Sequence, residues 1–74
     1  PKLKIQKNPV SLNEDIRVLN TTGNENFKLY DISGKIVPIS VENLSNISTI
    51  KTHGLNQGFY LLKTAQKVFK IIVK

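Results

Sequence analysis

Apolar and polar residues alternate with a period of two in short stretches along this chain, and no window repeats with the 3.6-residue period of a helix. Leu3-Lys4-Ile5-Gln6 reads as a first strand, ended by Asn8-Pro9, because the residue before a proline avoids the α region and proline has no amide for a ladder. A turn at Ser11-Leu12-Asn13-Glu14 leads into Asp15 to Leu19, where Ile16 and Val18 share one face. Asn20 to Asn26 is polar or Gly throughout and reads as a loop. Phe27 to Asp31 alternates again, and Asp31-Ile32-Ser33-Gly34 has the chemistry of a type I turn: the Asp accepts from the Ser33 amide and Gly34 tolerates positive φ. The return strand, Lys35 to Val37, continues past Pro38 through Ile39 to Glu42, which places that proline on an edge strand or at a bulge. Asn43 to Asn46 turns the chain, Ile47 to Thr52 is a β-branched strand, and His53-Gly54 breaks it. Phe59 to Thr64 and Lys67 to Lys74 form a closing hairpin joined by Ala65-Gln66, a two-residue link without the usual Gly.

About seven strands with turn signals roughly every 8 to 12 residues predict an all-β fold, a sandwich or a barrel. The closing hairpin gives this its sharpest local evidence. Leu55, Gly58 and Tyr60 resemble a tyrosine corner, in which the Tyr hydroxyl bonds back to backbone just upstream. Tyr60 and Leu62 share one face, as do Phe69, Ile71 and Val73, and both sets are expected inward. Lys63, Lys70 and Lys74 then point out, where lysine discourages edge-to-edge pairing.

At 74 residues the chain is expected to be one domain with a thin core, since a chain of this size hides only about 60% of its unfolded surface. Without Cys or a metal-ligand cluster, its few aromatics are expected to serve that core. Eleven basic residues against five acidic give a formal charge of +6. Ten of the eleven are Lys, which favours a solvated surface over specific reading of phosphates or bases, where the forked donors of Arg dominate. No apolar run approaches the ~20 residues of a membrane-spanning helix. The chain opens on Pro1-Lys2-Leu3-Lys4, without Met or a charged-then-apolar leader, and reads as a piece of a longer polypeptide.

The catalytic inventory is poor. The sole His, His53, lies in a predicted turn with no acid beside it in sequence, and the polar-turn reading outweighs a catalytic base. Glu14, Asp15, Glu25, Asp31 and Glu42 have no metal-ligand spacing, the adjacent Glu14 and Asp15 would point to opposite faces of a strand, and Asp31 has work in its turn. No catalytic, cofactor-binding or metal residue is therefore expected. Phe27-Lys28-Leu29-Tyr30 faintly suggests stacking of nucleic-acid bases, but Phe27 and Tyr30 fall on opposite strand faces. Asn20-Thr21-Thr22, Asn43-Leu44-Ser45 and Asn46-Ile47-Ser48 match the N-glycosylation pattern, as chance allows in so Asn-rich a chain.

Taken together, Asn8-Pro9-Val10, the run from Leu29 to Val37 and Leu55-x-x-Gly58-x-Tyr60 before a Lys-ended strand resemble the type A C-terminal sorting domain of the type IX (Por) secretion system of Bacteroidota. The likeness covers nearly the whole chain in order. Its motif positions fall on Asn8 and Pro9, on Tyr30, Asp31, Gly34 and Lys35, and on Leu55, Gly58 and Tyr60. Gln6-Lys7 stands where the first motif usually has an aromatic or Pro, and Phe59 where a smaller aliphatic usually follows the Gly. The resemblance implies a small immunoglobulin-like Greek-key sandwich of about seven strands that serves as an address at the C-terminal end of a secreted cargo, carried through the periplasm, recognised by the outer-membrane translocon and removed by a sortase-like peptidase as the cargo is released or attached to the cell surface. It implies neither nucleic-acid binding nor membrane insertion. Lys63, Lys70 and Lys74, with the free edge of the last strand, are the expected recognition surface. Two alternatives are a carbohydrate-binding or spacer sandwich of a secreted enzyme, disfavoured by the lack of Trp, and a basic nucleic-acid-binding β domain.

Overall fold

A computed structural model describes residues 2–52 and 54–74. Its elements are all strands: β1 Lys4–Ile5, β2 Ile16–Leu19, β3 Lys28–Asp31, β4 Ile36–Val37, β5 Ile39–Leu44, β6 Ile47–Thr52, β7 Gly58–Lys63 and β8 Val68–Val73. They form two antiparallel four-stranded sheets, one in the order β1-β2-β6-β5 and the other β4-β3-β7-β8.

Period-two alternation turns one side of each sheet inward. Ile16, Val18 and Ile50 from the first sheet meet Leu29, Tyr60, Leu62, Ile71 and Val73 from the second, and Val10 and Phe27 are buried with them. Ile16, Leu29, Ile50, Leu62 and Ile71 are almost wholly buried, each worth about 1.5–3 kcal/mol relative to exposure.

Among the described residues eight strands stand where about seven were expected, and Pro38 is the reason. The run from Lys35 to Glu42 is divided there: β4 ends one sheet and β5 begins on the edge of the other. A residue without an amide interrupts a ladder, so the chain changes sheets at that point. At the next turn the strand runs further than expected. Asn43 and Leu44 pair with Ser48 and Ile47, leaving Ser45 and Asn46 as a two-residue hairpin turn with Ser45 at φ 57°. The link at Ala65-Gln66 dispenses with Gly because Thr64 Oγ1 accepts from the Lys67 amide at 3.0 Å while the Thr64 amide donates to the Lys67 carbonyl at 2.8 Å.

A polar knot lies under the first sheet. Ser48 is fully buried, and its hydroxyl meets Thr21 Oγ1 at 2.9 Å and the Asn43 side-chain oxygen. Thr21 also donates its amide to the Asn46 carbonyl at 2.9 Å, so a loop that reads as plain polar sequence is pinned to the β5–β6 hairpin.

Candidate functional site

The three motif groups all attach to the β4-β3-β7-β8 sheet. On β7 the tyrosine corner forms as expected: the Tyr60 hydroxyl donates to the Asn56 carbonyl at 2.9 Å, and Leu55 packs half-buried against the core. Gly58 enters the strand at φ 149°, a backbone state that L side chains rarely adopt. Asp31 lies directly across from Tyr60 in the β3–β7 pairing, which joins the second motif to the third.

Asp31 organises the β3–β4 turn. Its Oδ1 accepts from the Ser33 hydroxyl at 2.6 Å, the Ser33 amide at 2.9 Å and the Lys35 amide at 3.0 Å, while Gly34 sits at φ 90°. These donors, the Ser33 side chain foremost and the Lys35 amide next, hold the carboxyl below its ordinary pKa. Lys35 thus contributes a backbone amide, and its side chain is exposed.

Asn8 acts on the far edge of the same sheet. Its Nδ2 donates to the Lys70 carbonyl at 2.8 Å and its Oδ1 accepts from the Ile72 amide at 3.0 Å. A side-chain amide has the donor and acceptor of a peptide group, and here it pairs with β8 as a neighbouring strand would. Past the cis Asn8–Pro9 bond the backbone takes over. Val10 donates to the Ile72 carbonyl at 2.7 Å and accepts from the Lys74 amide at 2.9 Å, and Leu12 donates to the Lys74 carbonyl at 3.0 Å. The expected free edge of the last strand is therefore occupied from Lys70 to Lys74. The N-terminal segment, after pairing β1 with the first sheet, crosses over and covers it.

Lys63, Lys70 and Lys74 are exposed, but they do not form one cluster. Lys63 is opposite Val68 at one end of the hairpin and Lys74 follows Val73 at the other, a span of about 20 Å along the strand. Lys63 and Lys70 instead share the outer face of the sheet with the motif position Tyr30, with Lys28 and with a set of apolar side chains. Ile36, Tyr30, Leu61 and Lys70 form one cross-strand row, and Phe59 stands opposite Ile72. Lys28 and Val68 flank Lys63. The Lys63 ammonium lies 5.5 Å from the Tyr30 ring centre and that of Lys70 lies 4.6 Å from the Phe59 ring, both within cation–π range.

Aromatics were expected to serve the core, and three of the five do: Phe27 and Tyr60 are buried and Phe69 packs half-buried against the core. Phe59 is 47% exposed and Tyr30 half-buried on the outer face. A signal was present in the sequence: in a strand, the unbroken run Phe59-Tyr60-Leu61-Leu62 must send two apolar side chains outward once Tyr60 and Leu62 turn in.

Among the described residues no three His, Cys, Asp or Glu come together. His53 lies outside the described residues. Glu14 and Asp15 both precede β2, and Glu14 caps the preceding turn, accepting from the Ser11 amide at 3.0 Å and Lys7 at 3.1 Å. The Ser11 amide and then Lys7 hold its carboxyl below the ordinary value.

A family model described as a secretion system C-terminal sorting domain matches residues 2–74. No curated protein and no solved structure matches the chain.

Proposed function

The chain belongs to the secretion system C-terminal sorting domain family and is a sorting signal of the type IX secretion system, and we propose on that premise that the β4-β3-β7-β8 sheet is what the export machinery reads. Such a signal works with the secretion machinery, follows a cargo domain and directs export across the outer membrane to the surface or the medium. The family is one of signals, not of enzymes. The observation that carries the proposal is the convergence of all three motifs on one sheet: Asn8 covers its β8 edge, the Asp31 turn joins β3 to β4, and the Tyr60 corner fixes the start of β7.

In this reading the domain is a compact terminal sandwich that folds in the periplasm without disulfides, presents its closing hairpin to the translocon and is then cut from its cargo by a sortase-like peptidase. The immunoglobulin-like reading of the sandwich is supported by the two strand orders, β1-β2-β6-β5 and β4-β3-β7-β8, together with the tyrosine corner. Of the recognition candidates, Lys63 and Lys70 belong to the outer face, whereas the Lys74 backbone is anchored to Val10 and Leu12. With the edge covered between Lys70 and Lys74, recognition there uses side chains on the face. The carbohydrate-binding alternative requires open aromatic ring faces, and those of Tyr30 and Phe59 each carry an ammonium group.

Attaching residues 1–74 to a fluorescent cargo in a type IX-competent bacterium tests the proposal. Export is expected with the whole chain and lost on deletion of Val68 to Lys74, with the released cargo lacking the mass of the domain. Undiminished export of the truncated fusion would overturn it.

A further inference from the structure

Resting on the reading of this sheet as the recognised surface, we infer that its outer face docks a short acidic protein segment whose carboxylates alternate with apolar side chains. The charge arrangement is the first reason. Lys28 and Lys63 are direct cross-strand partners, a pairing of like charges that costs the isolated sheet stability. Lys70 joins them across β7, in register with Leu61. No carboxylate shares this face. Glu14 and Asp15 precede β2, Glu25 caps the loop at Thr22, Glu42 lies on the other sheet, and Asp31 is turned into the β3–β4 turn. The ion pairs among the described residues, Lys7–Glu14 and Lys51–Glu42, both lie elsewhere.

Apolar exposure is the second reason. Ile36 is 62% exposed, Val68 56% and Leu61 41%, beside Phe59 and Ile72. A contiguous apolar patch rimmed by one sign of charge marks an interaction surface, and its aliphatic half needs apolar side chains from the partner. Phosphates of a nucleic acid or a lipid headgroup would answer the lysines and leave the aliphatic residues wet. Base stacking is further opposed by the ammonium groups over the Tyr30 and Phe59 rings. The face measures about 14 Å by about 20 Å from strand spacing and rise. That is roughly a third of the ~800 Å² each partner gives to a stable complex, which suits a contact made and released during export.

The test places a photoreactive phenylalanine at Leu61 of the exported fusion, and at Thr49 on the opposite sheet as its counterpart. The Leu61 adduct, sequenced by mass spectrometry, is expected to be a peptide rich in Asp and Glu, with no such adduct from Thr49. Lys63→Glu with Lys70→Glu is expected to lower the Leu61 adduct about tenfold or more, because like charges face each other across the contact. Lys63→Gln with Lys70→Gln should fall between, and circular dichroism establishes that each variant is folded. A lipid, glycan or nucleic-acid adduct, a peptide without acidic excess, equal yield from Thr49, or full yield after charge reversal overturns the inference while leaving the sorting reading in place. Failure of the unaltered fusion to be exported defeats both.

Discussion

On the outer face of the β1-β2-β6-β5 sheet, Arg17, Thr49 and Glu42 stand in one cross-strand row and Lys51 pairs with Glu42 at 3.1 Å. Its apolar residues gather in the end row of Leu19, Ile47 and Leu44, and it has no aromatic ring. The opposite outer face has Tyr30 and Phe59 at its centre, three lysines and no carboxylate. Both inner faces are built mainly from aliphatic residues, so folding alone does not require this difference between the outer ones. Among the described residues, one face pairs Lys51 with its single carboxylate and keeps Lys4 and Arg17 as unpaired cations; the other has no carboxylate and sets its lysines among apolar side chains, leaving both for something else to meet.

That comparison presumes that the two inner faces share the load equally, which is where the largest effect is expected. Leu62→Ala and Ile50→Ala, one in each sheet and both fully buried, should each cost about 2–5 kcal/mol by urea denaturation. A markedly smaller loss from either would show that one sheet dominates the fold. Ser48→Ala removes the centre of the polar knot and leaves Thr21 and Asn43 short of a partner, for an expected loss of about 1–3 kcal/mol in the same measurement.

Around the lysine-bearing sheet, Tyr60→Phe and Asn8→Ala should each cost about 1 kcal/mol, the net worth of the bonds removed. Asn8→Ala should in addition speed hydrogen exchange at the Ile72 amide, which would be unchanged if Asn8 did not cover the edge. Charge reversals sharpen the contrast between the outer faces. Lys63→Glu with Lys70→Glu and Arg17→Glu with Lys51→Glu should each shift stability by no more than about 0.5 kcal/mol per site, as surface changes do. Only the first pair should reduce export of the fusion.

The smallest effect is in pH. Asp31 and Glu14 are held below their ordinary values by turn donors, and Glu25 by the Thr22 amide, desolvation opposing only in part. A carboxyl whose folded-state pKa is lowered stabilises the fold above its unfolded value and loses that contribution as pH falls through the lowered one. Thermal midpoints should therefore be level near neutrality and decline below about pH 4. Asp31→Asn should make the decline shallower, since the amide oxygen still accepts but no longer titrates.

Much of the fold was legible in sequence because strands announce themselves by period two and turns by local chemistry. The strand from Ile47 to Thr52, the Asp31 turn and the Tyr60 corner depend on residues within a few positions of one another, and each stands where the sequence puts it. The inward sets on the closing hairpin followed for the same reason. What sequence could not supply was everything spanning the chain. Asn8 reaches Lys70 and Ile72 across more than sixty residues, and a side-chain amide completing a distant strand leaves no periodic trace. Pro38 read as an edge or bulge position in one continuing strand, and only packing decided that the two halves belong to different sheets. The outer face was half visible, since four consecutive apolar residues cannot all turn inward. That Lys28 stands opposite Lys63, with no carboxylate near, was settled by strand register, which the tertiary structure alone determines.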